Sequence, residues 1–289
     1  MIFGEIDSAF NLLNKFKEFC RSHGRKTESV ASRFIRLFES HGVHRNQIPG
    51  FFKHGLTLKD VQDDDSLIIK LDEKILDAAC KLFAVKREWL DGAEMQVHHI
   101  HSFYKYPEDF LVFINQLQNE NPEIELNGEV FAPEHMHSSD EAILVLYEVI
   151  GYVGNKQICR YHLCDIWRFS YWKSRAYLTA CVAIAWKAHI NIRGSYASQK
   201  LIYTLAQGEI LLGNKSNGLE SLFGKKWYPE DMALDPELFL KDLDPERDSF
   251  GIKAGLRLWL ELDDKGQMDI GMQKDARSLF EHELAKYIK

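Results

Sequence analysis

The first ninety residues carry apolar positions at helical spacing. Ile6, Phe10, Leu13 and Phe16, separated by four, three and three residues and followed by Phe19 and Cys20, predict one amphipathic helix with Gly24 as its C-cap. Another helix is expected from a Thr27 cap to about His41, with Val30, Phe34, Leu37 and Phe38 inward and Gly42 ending it. Short elements follow over 44–52 and from Thr57, then a longer periodic helix through Ile75, Ala78, Ala79, Leu82 and Phe83. Short helices joined by glycine-containing turns make a compact bundle, a class that includes the helix-turn-helix.

The pattern changes after about residue 120. Residues 98–106 read as a linker, and Pro107 with Phe110, Leu111, Phe113, Ile114 and Leu117 predicts a connecting helix. The β-branched run 142–150, the turn signal at 151–155 and a returning strand from Gln157 predict a hairpin. Trp167, Phe169 and Tyr171 alternate with Arg168 and Ser170, as on the two faces of a strand. A helix over 174–188, a short strand at 190–192 and a helix from Ser195 or Ser198 to Gly208 come next. Alternating leucines at 256–262 and the run 268–272 flank Asp263-Asp264-Lys265-Gly266 and predict a second hairpin. A last helix carries Ala276, Leu279, Phe280 and Leu284. These elements predict an α+β multidomain chain: an all-α helix-turn-helix bundle over 1–95, a connecting segment over 96–120, and an α+β domain with a small antiparallel sheet over 121–289.

Composition narrows the class. An apolar fraction of 45% and a charged fraction of 27% suit a soluble globular chain and disfavour disorder. The longest uncharged apolar run, 178–186, is too short to span a membrane, and Glu5 and Asp7 in the first apolar stretch argue against a signal peptide. Five cysteines at uneven spacing suit a reducing compartment, so the cytoplasm is the expected location. The net charge of −7 conceals segregation. Residues 1–59 hold ten Lys/Arg against five acids, and residues 155–200 hold eight against Asp165 alone. Such patches favour anionic partners at defined places, although a basic helix face can equally be only solvated.

Residues 28–92 resemble the lambda-repressor-like, XRE/Cro-type helix-turn-helix domain. The carriers are Gly42-Val43-His44-Arg45-Asn46-Gln47-Ile48, then Gly55-Leu56-Thr57-Leu58-Lys59-Asp60-Val61, and the closing Val85-Lys86-Arg87-Glu88-Trp89-Leu90-Asp91-Gly92. The resemblance implies a recognition helix capped by Thr57 and double-stranded DNA as partner, bound by a homodimer. Pro49-Gly50 depart from the pattern and predict a bent or short second helix. Asp60 and Asp63–Asp65 beside the recognition segment repel phosphates, so only Lys59 and Gln62 are expected at base edges. Arg21, Arg25, Lys26, Arg45, Asn46 and Lys53 are the candidates for backbone contact.

Two other constellations carry possible chemistry. Aromatic residues from Tyr161 to Trp186 interleave with Arg160, Arg168, Lys173 and Arg175, and Arg168, Trp172, Lys173 and Arg175 are the candidates for an anionic or aromatic small-molecule effector. A structural role for Trp167, Phe169 and Tyr171 in one sheet face is the alternative. His99-x-His101 and His135-x-His137 have i, i+2 spacing suited to a metal, but they fall in expected loops, and no metal site or cofactor is assigned. Nucleophile-elbow, Walker A, zincin and dinucleotide-binding signatures are absent, and Ser195 with Lys200 makes no convincing Ser–Lys pair, so no catalytic residue is assigned. The function expected is a DNA-binding transcriptional regulator with a ligand-sensing or dimerising C-terminal domain. The alternative is an interaction or small-molecule-binding protein that retains a degenerate helix-turn-helix fold.

Overall fold

The structure is a computed structural model that describes residues 28–134, 140–213, 219, 222–244, 251–271 and 275–288. The helix expected over 6–20, the cations Arg21, Arg25 and Lys26, and the His135/His137 pair lie outside the described residues.

The chain opens with a head of short helices. α1 (Val30–Ser40) is capped by Ser29, whose side chain accepts from the Ser32 N–H, and buries Phe34, Leu37 and Phe38. A 3-10 turn (Arg45–Gln47) starts with a capping box between His44 and Gln47 and passes directly into α2 (Ile48–Phe52). Pro49 stands in the first turn of α2, where its missing N–H costs nothing, and left-handed Lys53 (φ 52°) ends the helix after five residues. The segment at Thr57 forms one turn only: Asp60 and Val61 N–H groups both reach the Thr57 carbonyl. Asp63 then caps α3 (Asp64–Ile68), so the recognition helix implied by the resemblance is replaced by a turn and a separate five-residue helix. α4 (Glu73–Phe83) and α5 (Arg87–Leu90) close the head. Trp89 is 2% exposed, with the Arg36 guanidinium 5.3 Å from its ring centroid.

The rest of the chain is built on a mixed six-stranded sheet, which corrects the expected small antiparallel one. Its strands are β1 (Ile100–His101), β2 (Leu126–Ala132), β3 (Glu141–Val153), β4 (Lys156–Arg168), β5 (Asn191–Tyr196) and β6 (Lys226–Trp227), in the order β1-β4-β3-β2-β5-β6. β2, β3 and β4 form an antiparallel meander; β5 returns parallel to β2, and β1 lies parallel to β4. The parallel pairs could not be read locally, because each depends on a crossover and β1 is only two residues long. β4 reaches β5 through α7 (Trp172–Lys187), which packs on one face beside α6 (Pro107–Glu120). α6, expected as a connection, thus contributes Phe110, Ile114 and Leu117 to the main core. α8 (Gln199–Ala206), capped by Ser198, covers the opposite face with Leu201, Ile202 and Leu205.

The second expected hairpin is also corrected: residues 256–262 lie within α10 (Ile252–Asp264), which follows the five-residue α9 (Pro236–Leu240). Leucines at 256, 258, 260 and 262 alternate like a strand, but Leu256, Trp259 and Leu262 are the fully buried ones, at helical spacing. Leu, Arg and Glu favour the helix, and no β-branched residue follows Ile252 in it. α11 (Ala276–Ala285) stacks Phe280 on Trp259 with centroids 3.7 Å apart. The head sits at the β3–β4 hairpin tip, where Ile158 is fully buried in the head's core and Ile150 and Val153 pack against it.

Candidate functional site

The expected DNA-facing residues separate into two groups. Asn46, Lys53, Lys59 and Gln62 are exposed. Arg45 is not a free cation: its Nε donates to the Val61 carbonyl (2.6 Å) and its Nη2 to Asp64 Oδ1 (2.6 Å), while Asp64 Oδ2 also accepts from Ser32 Oγ. Arg45 therefore ties the 3-10 turn to α3. Asp60 is engaged locally, accepting from the Thr57 N–H and hydroxyl.

The expected effector residues do not converge as a set. Arg175 is 1% exposed: Nε donates to the Phe169 carbonyl (2.8 Å), Nη1 to that of Phe239 (3.1 Å) and Nη2 to that of Lys241 (3.2 Å). Its guanidinium also lies 3.7 Å from the Phe169 ring centroid. It fastens the start of α7 to the segment around α9 instead of facing solvent. Lys173 covers Trp172, and Arg168 stands exposed opposite Glu141.

A different concavity lies where the head meets the sheet. A groove of about 540 Å³ is walled by residues 50–54 at the end of α2, by Ala78, Lys81 and Leu82 of α4, and by residues 150–152 of β3, with Arg160 of β4 also lining it. Phe51 rests on the hairpin backbone at Gly151, where a Cβ would lie 2.9 Å from its ring. The close approach needs glycine. His54 stacks on Phe52 at 4.0 Å and donates from Nδ1 to the Phe52 carbonyl (2.5 Å).

Behind the groove lies a buried ionic cluster. Glu148 accepts from Arg160 Nε (2.5 Å) and Nη2 (2.8 Å) and from His162 Nε2 (2.7 Å). The Asn121 amide is best oriented with its oxygen towards Arg160 Nη2 (2.5 Å). Burial alone raises the Glu148 carboxyl, but the bonds from His162 and Arg160 outweigh it and hold the group below its usual range. Arg160 Nη1 makes only a long contact, 3.5 Å, to the Lys81 carbonyl.

Histidines also cluster at this joint. His98 is pushed down to about 3, first by burial and then by nearby His41 and His162. His41 is pushed down to about 4 by burial, against the Leu37 carbonyl that binds its Nδ1 at 2.7 Å, with Lys156 adding to the depression. His101, on β1, is likewise lowered to about 4 by burial, with smaller effects from His162 and His99. Among the described residues no group of three or more His, Cys, Asp or Glu side chains is placed to hold a metal ion.

Ser195 meets a lysine other than Lys200. Lys226 Nζ lies 2.9 Å from Ser195 Oγ and 3.1 Å from Glu129 Oε1, and the Ser195 hydroxyl donates to the same carboxylate oxygen. Ser195 and Glu129 have no exposed surface, and Lys226 is ion-paired, so these groups join β2, β5 and β6 and present no nucleophile.

The sequence marked Lys53 and noted Arg160, but not Glu148, His162 or Tyr152. The one available signal was the hairpin turn, which invites counting across the strands. From Val153↔Lys156 outward that count puts Glu148 opposite Tyr161; a register shift between Val149 and Gly151 puts it opposite Arg160 instead.

No protein-family model, curated protein or solved structure matches the chain. Among the described residues no helix is long and apolar enough to cross a membrane.

Proposed function

We propose that the chain is a DNA-binding regulator whose helical head contacts a duplex as a homodimer and whose sheet unit senses a small molecule. The carrying observation is the Thr57 turn: Leu56 and Val61 are buried while Lys59 and Gln62 are exposed, so two hydrogen-bond donors project from a fixed scaffold. Exposed Asn46 and Lys53 precede this turn in the chain, and Arg21, Arg25 and Lys26 add positive charge earlier in the sequence. With Arg45 committed to Asp64, phosphate contact falls to those cations, and sequence preference per protomer is weak. A cytoplasmic location suits Cys80, Cys164 and Cys181, which form no disulfide.

Fluorescence anisotropy on labelled duplexes at two salt concentrations tests this reading. Binding should weaken steeply with salt, and changing Arg21, Arg25 and Lys26 together to Ala should lower the salt slope by up to about 3. Changing Lys59 and Gln62 should relax preference by about 1–3 kcal/mol at one position.

A second reading rests on Leu58, Ile68 and Ile69, which are exposed (Ile69 by 82%) beside Asp63 and Asp65. An acidic, apolar surface suits a protein partner better than a phosphate backbone. If no duplex binds even at low salt, the head is an interaction module.

A further inference from the structure

We infer that the groove between head and sheet is the effector site, and that it takes a small planar aromatic molecule bearing a carboxylate or phosphate. Its volume, about 540 Å³, falls in the range of small-molecule sites. Three cations, Lys53, Lys81 and Arg160, line it with no acid among the lining residues. Glu148 occupies Nε and Nη2 of Arg160 from behind and fixes the guanidinium in place. Nη1, with only its 3.5 Å contact to the Lys81 carbonyl, retains donor capacity for an incoming anion. A fixed, largely desolvated guanidinium and the exposed ammonium of Lys81 form an anion clamp.

Apart from His54, the remaining lining residues are apolar or aromatic. Phe51 is held on the Gly151 backbone, and Tyr152 stands 62% exposed on the hairpin wall. An aromatic body placed between them keeps its charged group at Arg160 and Lys81. The occupant would touch α2 and α4 of the head and β3 and β4 of the sheet together. It therefore interacts differently with different placements of the head, which is what an effector requires. Lys53 is both a wall residue and a candidate phosphate contact, so occupancy would lower the head's hold on DNA. This consequence rests on the DNA-binding reading above; ligand binding itself does not.

The test is thermal denaturation and calorimetry of the full chain with benzoate, adenosine monophosphate, inorganic phosphate and the neutral analogues benzamide and adenosine. Benzoate or the nucleotide should raise Tm by about 5 °C at a hundredfold excess over Kd, the neutral analogues should not, and the better probe identifies carboxylate or phosphate as the source. Lys81→Glu and Tyr152→Ala, both at exposed positions and checked for folding by circular dichroism, should each weaken binding about tenfold or more. No shift with any probe, or an undiminished shift in both variants, overturns the site. Phosphate acting as well as the nucleotide, with benzoate inert, overturns the aromatic subsite. Anisotropy on duplexes is measured separately: a chain that binds DNA but no probe refutes this inference alone, and one that binds a probe but no DNA refutes the proposed function alone.

Discussion

Replacing Glu148 with Leu should destabilise the protein by about 3–5 kcal/mol, because it leaves the Arg160 guanidinium buried without its counter-charge. Glu148 is 1% exposed and Arg160 8%, so water cannot take over the lost bonds without opening the structure. The carboxylate also accepts from His162, and Arg160 reaches the Lys81 carbonyl on α4. The change therefore removes a contact within the hairpin and loosens the head's seat on it. Glu148→Gln, which keeps one acceptor, should cost less. Pairing Glu148→Leu with Arg160→Met should recover most of the loss, since the expense lies in the orphaned charge and not in the absence of a salt bridge. Urea denaturation of the three variants measures this. A Glu148→Leu protein within about 1 kcal/mol of the parent would show that the cluster is solvated and carries little energy.

Lowering the pH from 7.5 to 5 should remove about 4 kcal/mol of stability through two buried histidines. His41 and His98 have folded values of about 4 and about 3, below the ordinary 6.5 of an unfolded chain. Between these limits the unfolded state binds more protons, so stability falls as the pH falls. The contribution is complete above 6.5 and is lost as the pH drops towards the folded values. At pH 5 each histidine accounts for about 2 kcal/mol. Lys156 beside His41, and His41 and His162 beside His98, oppose a new positive charge there. His41 lies 4.2 Å from the Phe83 ring and packs near Tyr161 of the sheet, so protonation strains the seam between head and sheet. The urea midpoint should drop markedly across this interval, and His98→Leu should flatten the dependence. A midpoint independent of pH, or one that falls equally in that variant, would place the acid sensitivity elsewhere.

Much of the local structure was legible before any coordinates. The helices over 30–40 and 73–83, the short helix that begins at Ile48, the cap at Ser198 (one of the two expected) and a turn inside the expected 151–155 stretch, at Gly154-Asn155, follow from interactions between residues a few positions apart. What failed depended on which distant surfaces meet. The leucine alternation at 256–262 fits a strand and a helix face equally, and only packing on α7 and α11 selects the helix. Arg175 looked outward in a sequence with no nearby acid, yet three backbone carbonyls, two of them more than sixty residues away, satisfy it in the core. One extra residue near Gly151 sets Glu148 against Arg160 and so builds the cluster behind the groove. Periodicity, caps and turns determined the elements, because their energies are local. Register, the parallel sheet edges and the charges that end up buried belong to the tertiary structure, because a one-residue slip or a crossover is decided by the burial of whole faces and not by any neighbouring residue.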